Sequence, residues 1–298
     1  MTAIYRNDFR SLQLFVVVCE LNSITRAAER LGMALSAASR RVQILEQDAG
    51  TPLLDRRPHG VQPTAAGQTF LRFARDILHL VDRAGHLLME HETGVRGYVR
   101  VASSSSVLLS RLASDLSEFA KLHPGIEIDL EERPTERTLQ MVRDKEADIG
   151  LFVAVFEAHS LVTHPFGGDR IILAVQKSHP LAKHDKLKFK DFVDEDFVAM
   201  DHSAAVRKTL LEQARLLGAS LRIRVQVSSF EVMALMASRG LGVGVLPEAA
   251  VAPLVDAYQL KIVQIDEPWA SRNFSLCVRS EAELDPPARK LMTFLLRK

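Results

Sequence analysis

The sequence has only two cysteines, Cys19 and Cys277, among 298 residues. They lie far apart, each inside an apolar run. That excludes a disulfide-stapled scaffold and marks both as buried small hydrophobes in a reducing compartment. No apolar run approaches the ~18 residues that a membrane-spanning helix needs, so no membrane association is expected. The N-terminus, 1–10, carries Arg6, Asp8 and Arg10 and no apolar core. No secretory signal is expected there, and the cytoplasm is the expected location. The ten histidines form no HExxH pair or other metal-ligand spacing. There is no G-x-S-x-G, and neither cysteine has a paired base nearby. No catalytic residue, metal site or cofactor is therefore expected, and the chain reads as a non-enzyme. Lysine is absent from the first 120 residues, where every cation is arginine. Arginine reads phosphates and base edges with a planar fork that lysine lacks. The net charge of +1 is silent about an anionic partner.

What is present is ordinary in amount and informative in order. Apolar residues at 47% and charged residues at 25% fit a soluble globular chain and exclude a long disordered one. The length suggests about two domains at ~150 residues each. The first piece spans about residues 8–63. Phe9, Leu12, Val16 and Cys19 mark one face of a helix. Ser23 reads as the N-cap of a second helix, Ile24 to Leu31, ended by Gly32. A third follows Ser36 to about Asp48 and is closed by Gly50. Ala27 and Ala28 are small where these helices must cross. The arrangement is a helix-turn-helix, and Pro52 to Pro63 reads as a small hairpin or wing.

A helix is expected from Thr64 to about Glu92. Phe70, Phe73, Ile77, Leu80, Ala84 and Leu87 repeat at coiled-coil spacing. Leu71, Ala74, Leu78, Val81 and Leu88 form a second stripe beside them. One face is assigned to a second copy of the chain and the other to its own N-terminal domain. Gly94 and Gly97 bracket a hinge.

From residue 98 onward, strands alternate with helices. Strands are expected at Tyr98 to Ser103, Ile126 to Leu130 and Ala147 to Val155, with helices at Val107 to Leu122 and Glu136 to Asp144. This order predicts parallel strands with right-handed crossovers. Further strands are expected at Arg170 to Gln176, Phe197 to Met200, Arg222 to Val227, Gly242 to Leu246 and Phe274 to Arg279. Gly240, Gly242 and Gly244 mimic a dinucleotide loop, but a helix precedes them and a strand follows, the reverse of what a pyrophosphate cradle needs.

The segment Leu12 to Gly67 resembles the N-terminal domain of LysR-type transcriptional regulators. The resemblance rests on Leu14-Phe15, Ser23, Ala27-Ala28 with Leu31, Ser36-Ala37, Ser39-Arg40, Leu45-Glu46, Gly50, Leu53-Leu54 with Arg56, and Thr64 with Gly67. Pro124-Gly125, Asp148-Ile149-Gly150 and Gly242 to Pro247 also fit the family. The resemblance implies a multidomain chain: an all-α winged helix-turn-helix, a long dimerisation helix, and an α/β effector domain. That domain would have a type 2 periplasmic-binding-protein fold with two Rossmann-like subdomains. The boundaries expected are 1–63, 64–92 and 93–298. Subdomain I would take about 93–163 and 269–298, and subdomain II about 164–268. The crossing strands are placed near Leu161 to Pro165 and Pro268 to Arg272. Two features depart from the family. Leu35 stands where Gln is frequent; leucine cannot pair with adenine but can touch a thymine methyl. Pro63 replaces a branched apolar residue and stiffens the start of the long helix.

In such a head the second helix of the motif enters the major groove. The expected DNA-binding set is Thr25, Arg26, Leu35, Ser36, Ser39, Arg40, Gln43, Arg56 and Arg57. Arg40 can reach guanine and Gln43 adenine, while Thr25 and Arg26 touch phosphate. Arg56 and Arg57 touch backbone or minor groove. Residues 1–63 carry eight Arg against six Asp/Glu, so one copy alone should bind poorly. A two-fold dimer reads an interrupted palindrome in double-stranded DNA. The family further implies pairing of dimers into a homotetramer and DNA bending, with RNA polymerase a further candidate partner.

The sensor reading starts from Ser103 to Ser106, at the end of one strand and the start of a helix, where hydroxyls and free N–H groups favour an anion. Thr135 is expected at the end of the second strand. Ligands of open α/β sheets sit outside the carboxyl ends of strands. The effector set is therefore Ser104, Ser106 and Thr135, with His202, Ser203 and Ser228, beside Ser229, from the other subdomain. Arg133 and Arg137 flank Thr135. An anionic metabolite such as a carboxylate is the expected effector. The alternative is a small-molecule-binding protein or enzyme of the same fold without a DNA role.

Overall fold

The computed structural model describes residues 8–57, 60–93 and 97–297, with the side chains of 79, 82, 83 and 86–93 outside that set. The chain divides into two compact units. The first comprises the described residues up to 93 together with 144–146, and the second the remainder.

The first unit begins with α1 (Phe9–Leu21), α2 (Ile24–Arg30) and α3 (Leu35–Ala49). Asp8 N-caps α1, accepting from Ser11 N at 2.8 Å. Ser23 caps α2 through the Arg26 N–H at 3.2 Å. The third helix starts two residues earlier than Ser36 suggested: Ala34 is its N-cap and offers no side-chain bond. Gly50 ends α3 in the left-handed conformation. Phe9 is 56% exposed, which corrects its place on the buried stripe. The buried surface of α1 is wider than that stripe because the helix is covered twice. Leu14, Phe15 and Val18 pack on Ala27, Ala28, Ala38 and Val42 of the helix-turn-helix. Leu12 and Val16 pack on Ala74 of the long helix that follows.

The wing is the antiparallel hairpin of β1 (Leu54–Arg57) and β2 (Gly60–Pro63). Glu46 Oε1 accepts from Leu53 N at 2.9 Å and Leu54 N at 3.0 Å, so α3 anchors the first wing strand. The long helix α4 (Ala65–Thr93) is entered through Thr64, whose Oγ1 accepts from Gly67 N at 3.0 Å. A Cβ on Gly67 would lie 1.9 Å from the Leu53 carbonyl oxygen, so only glycine allows this approach. Phe70 meets Phe15 edge-on at 5.1 Å. Phe70 thus belongs to the intradomain face rather than to the free seam. Phe73, Ile77 and Leu80 of that seam are exposed, while Leu71, Ala74 and Leu78 face α1. The side chains of the seam residue Leu87 and of Leu88 in the second stripe, and the residues Gly94 and Arg6, lie outside the described set.

The second unit opens with β3 (Tyr98–Ser103) and a helical segment that runs through α5 (Ser105–Val107), a π-turn at Leu108–Leu112 and α6 (Ala113–Leu122). There follow β4 (Glu127–Glu132), α7 (Thr135–Arg143) and β5 (Ile149–Val153). Strand β3 pairs in parallel with both β4 and β5, as the alternating order predicts. Thr135 is the first residue of α7 rather than the end of a strand, because β4 already stops at Glu132 and Pro134 turns the chain.

The strand β6 (Val162–Gln176) then passes from one sheet into a second. The sequence suggests a short crossing and a separate strand here; a single continuous strand does both. The second sheet adds β7 (Lys186–Leu187), β8 (Asp196–Met200), α8 (Ala205–Leu216), β9 (Arg222–Val227), α9 (Phe230–Ser238) and β10 (Val243–Pro247). The short helices α10 (Glu248–Val251) and α11 (Val255–Tyr258) and the strand β11 (Leu260–Ile265) complete it. The return is β12 (Ser271–Val278), before the final helix α12 (Pro286–Leu296). The strand order is β4-β3-β5-β12-β6-β10-β8-β9, with β11 beside β6 and β7. Strands β7 and β11 were not anticipated. The turn into β11 is made by Gln259 in the left-handed conformation, a position that carries no glycine or asparagine signal.

At the crossing, Arg272 Nε donates to Asp169 Oδ1 at 2.8 Å, and Arg272 Nη2 bonds Asp169 Oδ2. Their side chains are 2% and 4% exposed. A Cβ on Gly168 would lie 2.2 Å from the Arg272 carbonyl oxygen, so the two strands meet backbone to backbone. Cys277 is buried and Cys19 half-buried, and both are free thiols. Burial pushes each up to about 12. Among the described residues no helix is long and apolar enough to cross a membrane.

Arg272→Met is expected to destabilise the full chain by about 3–5 kcal/mol in urea titration, because it strands the Asp169 charge. The double change Asp169→Leu with Arg272→Met is expected to recover a large part of that loss. Additive losses would show that the pair is not coupled.

Candidate DNA-reading head and ligand cleft

The first helix-turn-helix partner, α2, and the second, α3, hold their contact through Ala27, Ala28, Ala38 and Val42, all at most 2% exposed. Burial of Ala38, Val42 and Leu45 leaves the opposite side of α3 free. Ser36, Arg40 and Gln43 are exposed there, and Ser39 is half-buried. Leu35, in the first turn, is 48% exposed, an apolar side chain held out to solvent. Arg40 has no carboxylate partner among the described residues. Its neighbour Arg41 does: Nη1 contacts both Asp8 carboxylate oxygens at 2.8 Å and Ser11 Oγ at 3.0 Å. Adjacent arginines thus divide into one free and one structural.

The remaining expected contacts are less uniform. Thr25 is exposed. Arg26 is exposed too, but its Nη2 bonds the Leu21 carbonyl, which holds the side chain along the end of α1. Arg56 projects from the wing with no carboxylate partner among the described residues, whereas Arg57 pairs with Asp55 at 3.0 Å. The sequence did not single out Ile44, which is 42% exposed on α3 beside Gln43. Its signal was available: it is the apolar residue between Gln43 and Leu45 that the helical stripe leaves out.

The second unit has a cavity of about 140 Å³ between its two sheets. Ser104, Ser106 and Thr135 line it from the first sheet, and Asp201, Ser203 and Ser228 from the second. Ser104 occupies the N-cap position of α5 yet makes no side-chain capping bond. Ser104 Oγ and Thr135 Oγ1 are buried and have no hydrogen-bond partner. Each sits where a helix begins, Ser104 directly after β3 and Thr135 three residues after β4. Ser103 is fully buried and spends its hydroxyl on the Ser104 carbonyl at 3.2 Å. Ser229 is the N-cap of α9 and accepts from Val232 N at 3.3 Å.

His202 is not part of the lining; it is exposed, and the adjacent Asp201 takes the cavity position. The reason is the tight turn after β8: Ser203 N donates to Asp201 Oδ1 at 2.9 Å, and Ser203 Oγ bonds the same oxygen. That turn directs position 201 inward and 202 outward. Glu132 and Arg133 also line the cavity, while Arg137 does not. Glu132 accepts from Ser105 Oγ, and Arg133 Nη2 lies 2.5 Å from Glu131. Behind the second wall, Arg207 is 7% exposed. Its Nη1 donates to the Met200 carbonyl at 2.8 Å and to Gln226 Oε1 at 3.0 Å. Asp201 and Glu132 were missed by sequence reading, although Glu132 ends β4 and Asp201 directly follows β8, the positions from which ligands are reached. Among the described residues no group of three His, Cys, Asp or Glu side chains could hold a metal ion.

A winged helix-turn-helix on a long helix, followed by two α/β subdomains around a polar cleft, defines a ligand-responsive DNA-binding regulator. The model of the bacterial regulatory helix-turn-helix protein, lysR family, matches residues 9–68, and that of the LysR substrate binding domain matches 92–298. The chain belongs to the LysR family of transcriptional regulators. It is a DNA-binding regulator with an effector-binding domain. It is 29% identical over 296 residues to the uncharacterized HTH-type transcriptional regulator YnfL of Escherichia coli, covering 97% of this chain and 98% of that one. It is 27% identical over 286 residues to a probable RuBisCO transcriptional regulator of Trieres chinensis, covering 92% and 93%. Among solved structures, full-length CbnR with its target DNA shares the fold at a TM-score of 0.68 and 20% identity, covering 97% of this chain and 99% of that one. The effector binding domain of QuiR in complex with shikimate does so at 0.61 and 18%, covering 68% and 96%.

The head also has a pH signature. Hydrogen bonds from Arg41 and then Ser11 hold the Asp8 carboxyl down at about 2, against an ordinary value of 3.8. A depressed folded-state value gives stability that is present above pH 3.8 and lost as pH falls towards about 2. The Asp8 side chain is 56% exposed, so solvent screening keeps the contribution below about 1 kcal/mol. Asp8→Asn is expected to flatten the acid limb of a stability–pH curve across that window, lowering the neutral plateau by less than about 1 kcal/mol and converging with the wild type near pH 2. An identical acid limb in the variant would remove the Arg41 pair from the account.

Proposed function

We propose that the chain is a homodimeric, cytoplasmic regulator that binds an interrupted palindrome and responds to a small carboxylate in the cleft of its second unit. It acts by binding, without turnover. The observation that carries this reading is the pair of buried hydroxyls, Ser104 Oγ and Thr135 Oγ1, left without partners on one cavity. A buried hydroxyl without a partner costs roughly 1–3 kcal/mol, a cost that an acceptor-rich ligand removes. Ser106, Ser203 and Ser228 add hydroxyls to the same lining. Ser106→Ala is the notable single change here, since it leaves Ser104 as N-cap and removes one ligand contact.

On the DNA side, Leu35, Ser36, Ser39, Arg40 and Gln43 read the major groove, with Leu35 against a thymine methyl. Thr25, Arg26, Arg56 and Arg57 hold phosphates and set the register. The dimer forms through α4. Its Phe73 is 62% exposed, Ile77 41% and Leu80 58%, a stripe at coiled-coil spacing that a second copy covers. Pairs of dimers assemble into a tetramer that bends the DNA between sites and meets RNA polymerase.

The test is selection of bound fragments from a random double-stranded DNA pool at fixed salt. The wild-type protein is expected to enrich an interrupted palindrome. Arg40→Ala is expected to lose about 1–3 kcal/mol of specific affinity and relax one base position in each half-site. Unchanged preference in the variant would remove Arg40 from the reading face. Leu80→Glu is expected to shift the sedimentation of the protein towards the monomer and to weaken DNA binding with it, since it places a charge in the apolar seam.

A further inference from the structure

The cleft has two chemically different poles. The first-sheet wall offers the buried, unpartnered hydroxyls of Ser104 and Thr135, which suit a carboxylate. The second-sheet wall offers the Asp201 carboxylate. Its Oδ1 is used by the turn to Ser203, which leaves Oδ2 for a ligand. Arg207 keeps this carboxylate in place by tying the Met200 carbonyl, one residue before it, to Gln226. Glu132 and Asp201 line the cavity with Arg133, whose guanidinium is paired with Glu131, while Arg207 is buried behind the second wall. A ligand with separated charges matches both walls, its negative end on the hydroxyls and its positive end on Asp201.

We infer that the effector is a small zwitterion of the α-amino acid type, its carboxylate on the Ser104–Thr135 wall and its protonated amine on Asp201. The inference rests on the carboxylate reading given above and narrows it. A simple carboxylate leaves Asp201 without a donor and faces its negative charge across the cleft. The ammonium converts that repulsion into a charge-assisted hydrogen bond, roughly twice as strong as a neutral one.

The experiment uses the full-length protein and two matched panels: the proteinogenic α-amino acids, and the α-hydroxy acids with the same side chains. Thermal shift finds the binders, and isothermal titration measures them. At least one amino acid is expected to bind about tenfold or more tighter than its hydroxy-acid counterpart. In Asp201→Asn that preference is expected to collapse to within about threefold. Hydroxy-acid affinity is expected to stay equal or rise, because asparagine keeps the Oδ1 acceptor that the Ser203 turn needs. An unchanged melting temperature and unchanged DNA binding without ligand show that the variant is folded. Hydroxy acids binding as well as amino acids would overturn the ammonium pole and leave the carboxylate pole standing. An undiminished preference in Asp201→Asn would overturn the role of Asp201. Binding by neither panel would overturn both poles together.

Discussion

The second unit depends on one buried ion pair. Two sheets that share a strand must be joined where β6 leaves one and enters the other. At that place Asp169 and Arg272 face each other across the β6–β12 ladder, both nearly excluded from solvent. A charge in so dry a place is costly when alone and tolerable only when its partner is fixed. The backbones meet at Gly168 with no room for a side chain. The pair therefore specifies the register of the crossing more than it adds stability. With that register set, the ends of β3 and β4 and the turn after β8 converge on one cavity.

The DNA-reading head depends on a different constraint, the double coverage of α1. Its residues Leu14, Phe15 and Val18 close the helix-turn-helix core, and Leu12 and Val16 close the contact with α4. Glu46 and Thr64 then tie the wing to both helices through backbone bonds. The result holds α3 by its inner side and leaves Leu35, Ser36, Arg40 and Gln43 outward. Burial of one side of α3 leaves these side chains exposed on the other.

Much of this architecture was legible in local patterns. The helix-turn-helix follows from apolar spacing, from Ser23 and Gly50 as caps, and from paired alanines at the crossing. The parallel strands follow from alternating β- and α-type runs. Legibility failed where a neighbour outside the local window decides. Phe9 lies on the apolar stripe of α1 yet is exposed, because α4 and the helix-turn-helix cover the helix farther round. His202 looks like a ligand residue and is turned outward by the hydrogen bonds of Asp201 with Ser203. Thr135 begins a helix rather than ends a strand. The strand β11 is rich in branched residues but opens on Gln259, which carries no turn signature.

The sequence alone determined the element types, the order of the pieces and the chemistry available on α3, because caps, glycines and apolar periodicity act over a few residues. It also placed hydroxyls at the start of two helices. Only the tertiary structure decided which arginine is free and which is spent: Arg40 and Arg41 are neighbours in sequence, and Asp8 captures just one of them. Only the tertiary structure put Asp201 on one cavity with Ser104 and Thr135, which are far apart in the chain. Long-range pairing sets such contacts, and it depends on a ladder whose register no short stretch of sequence contains.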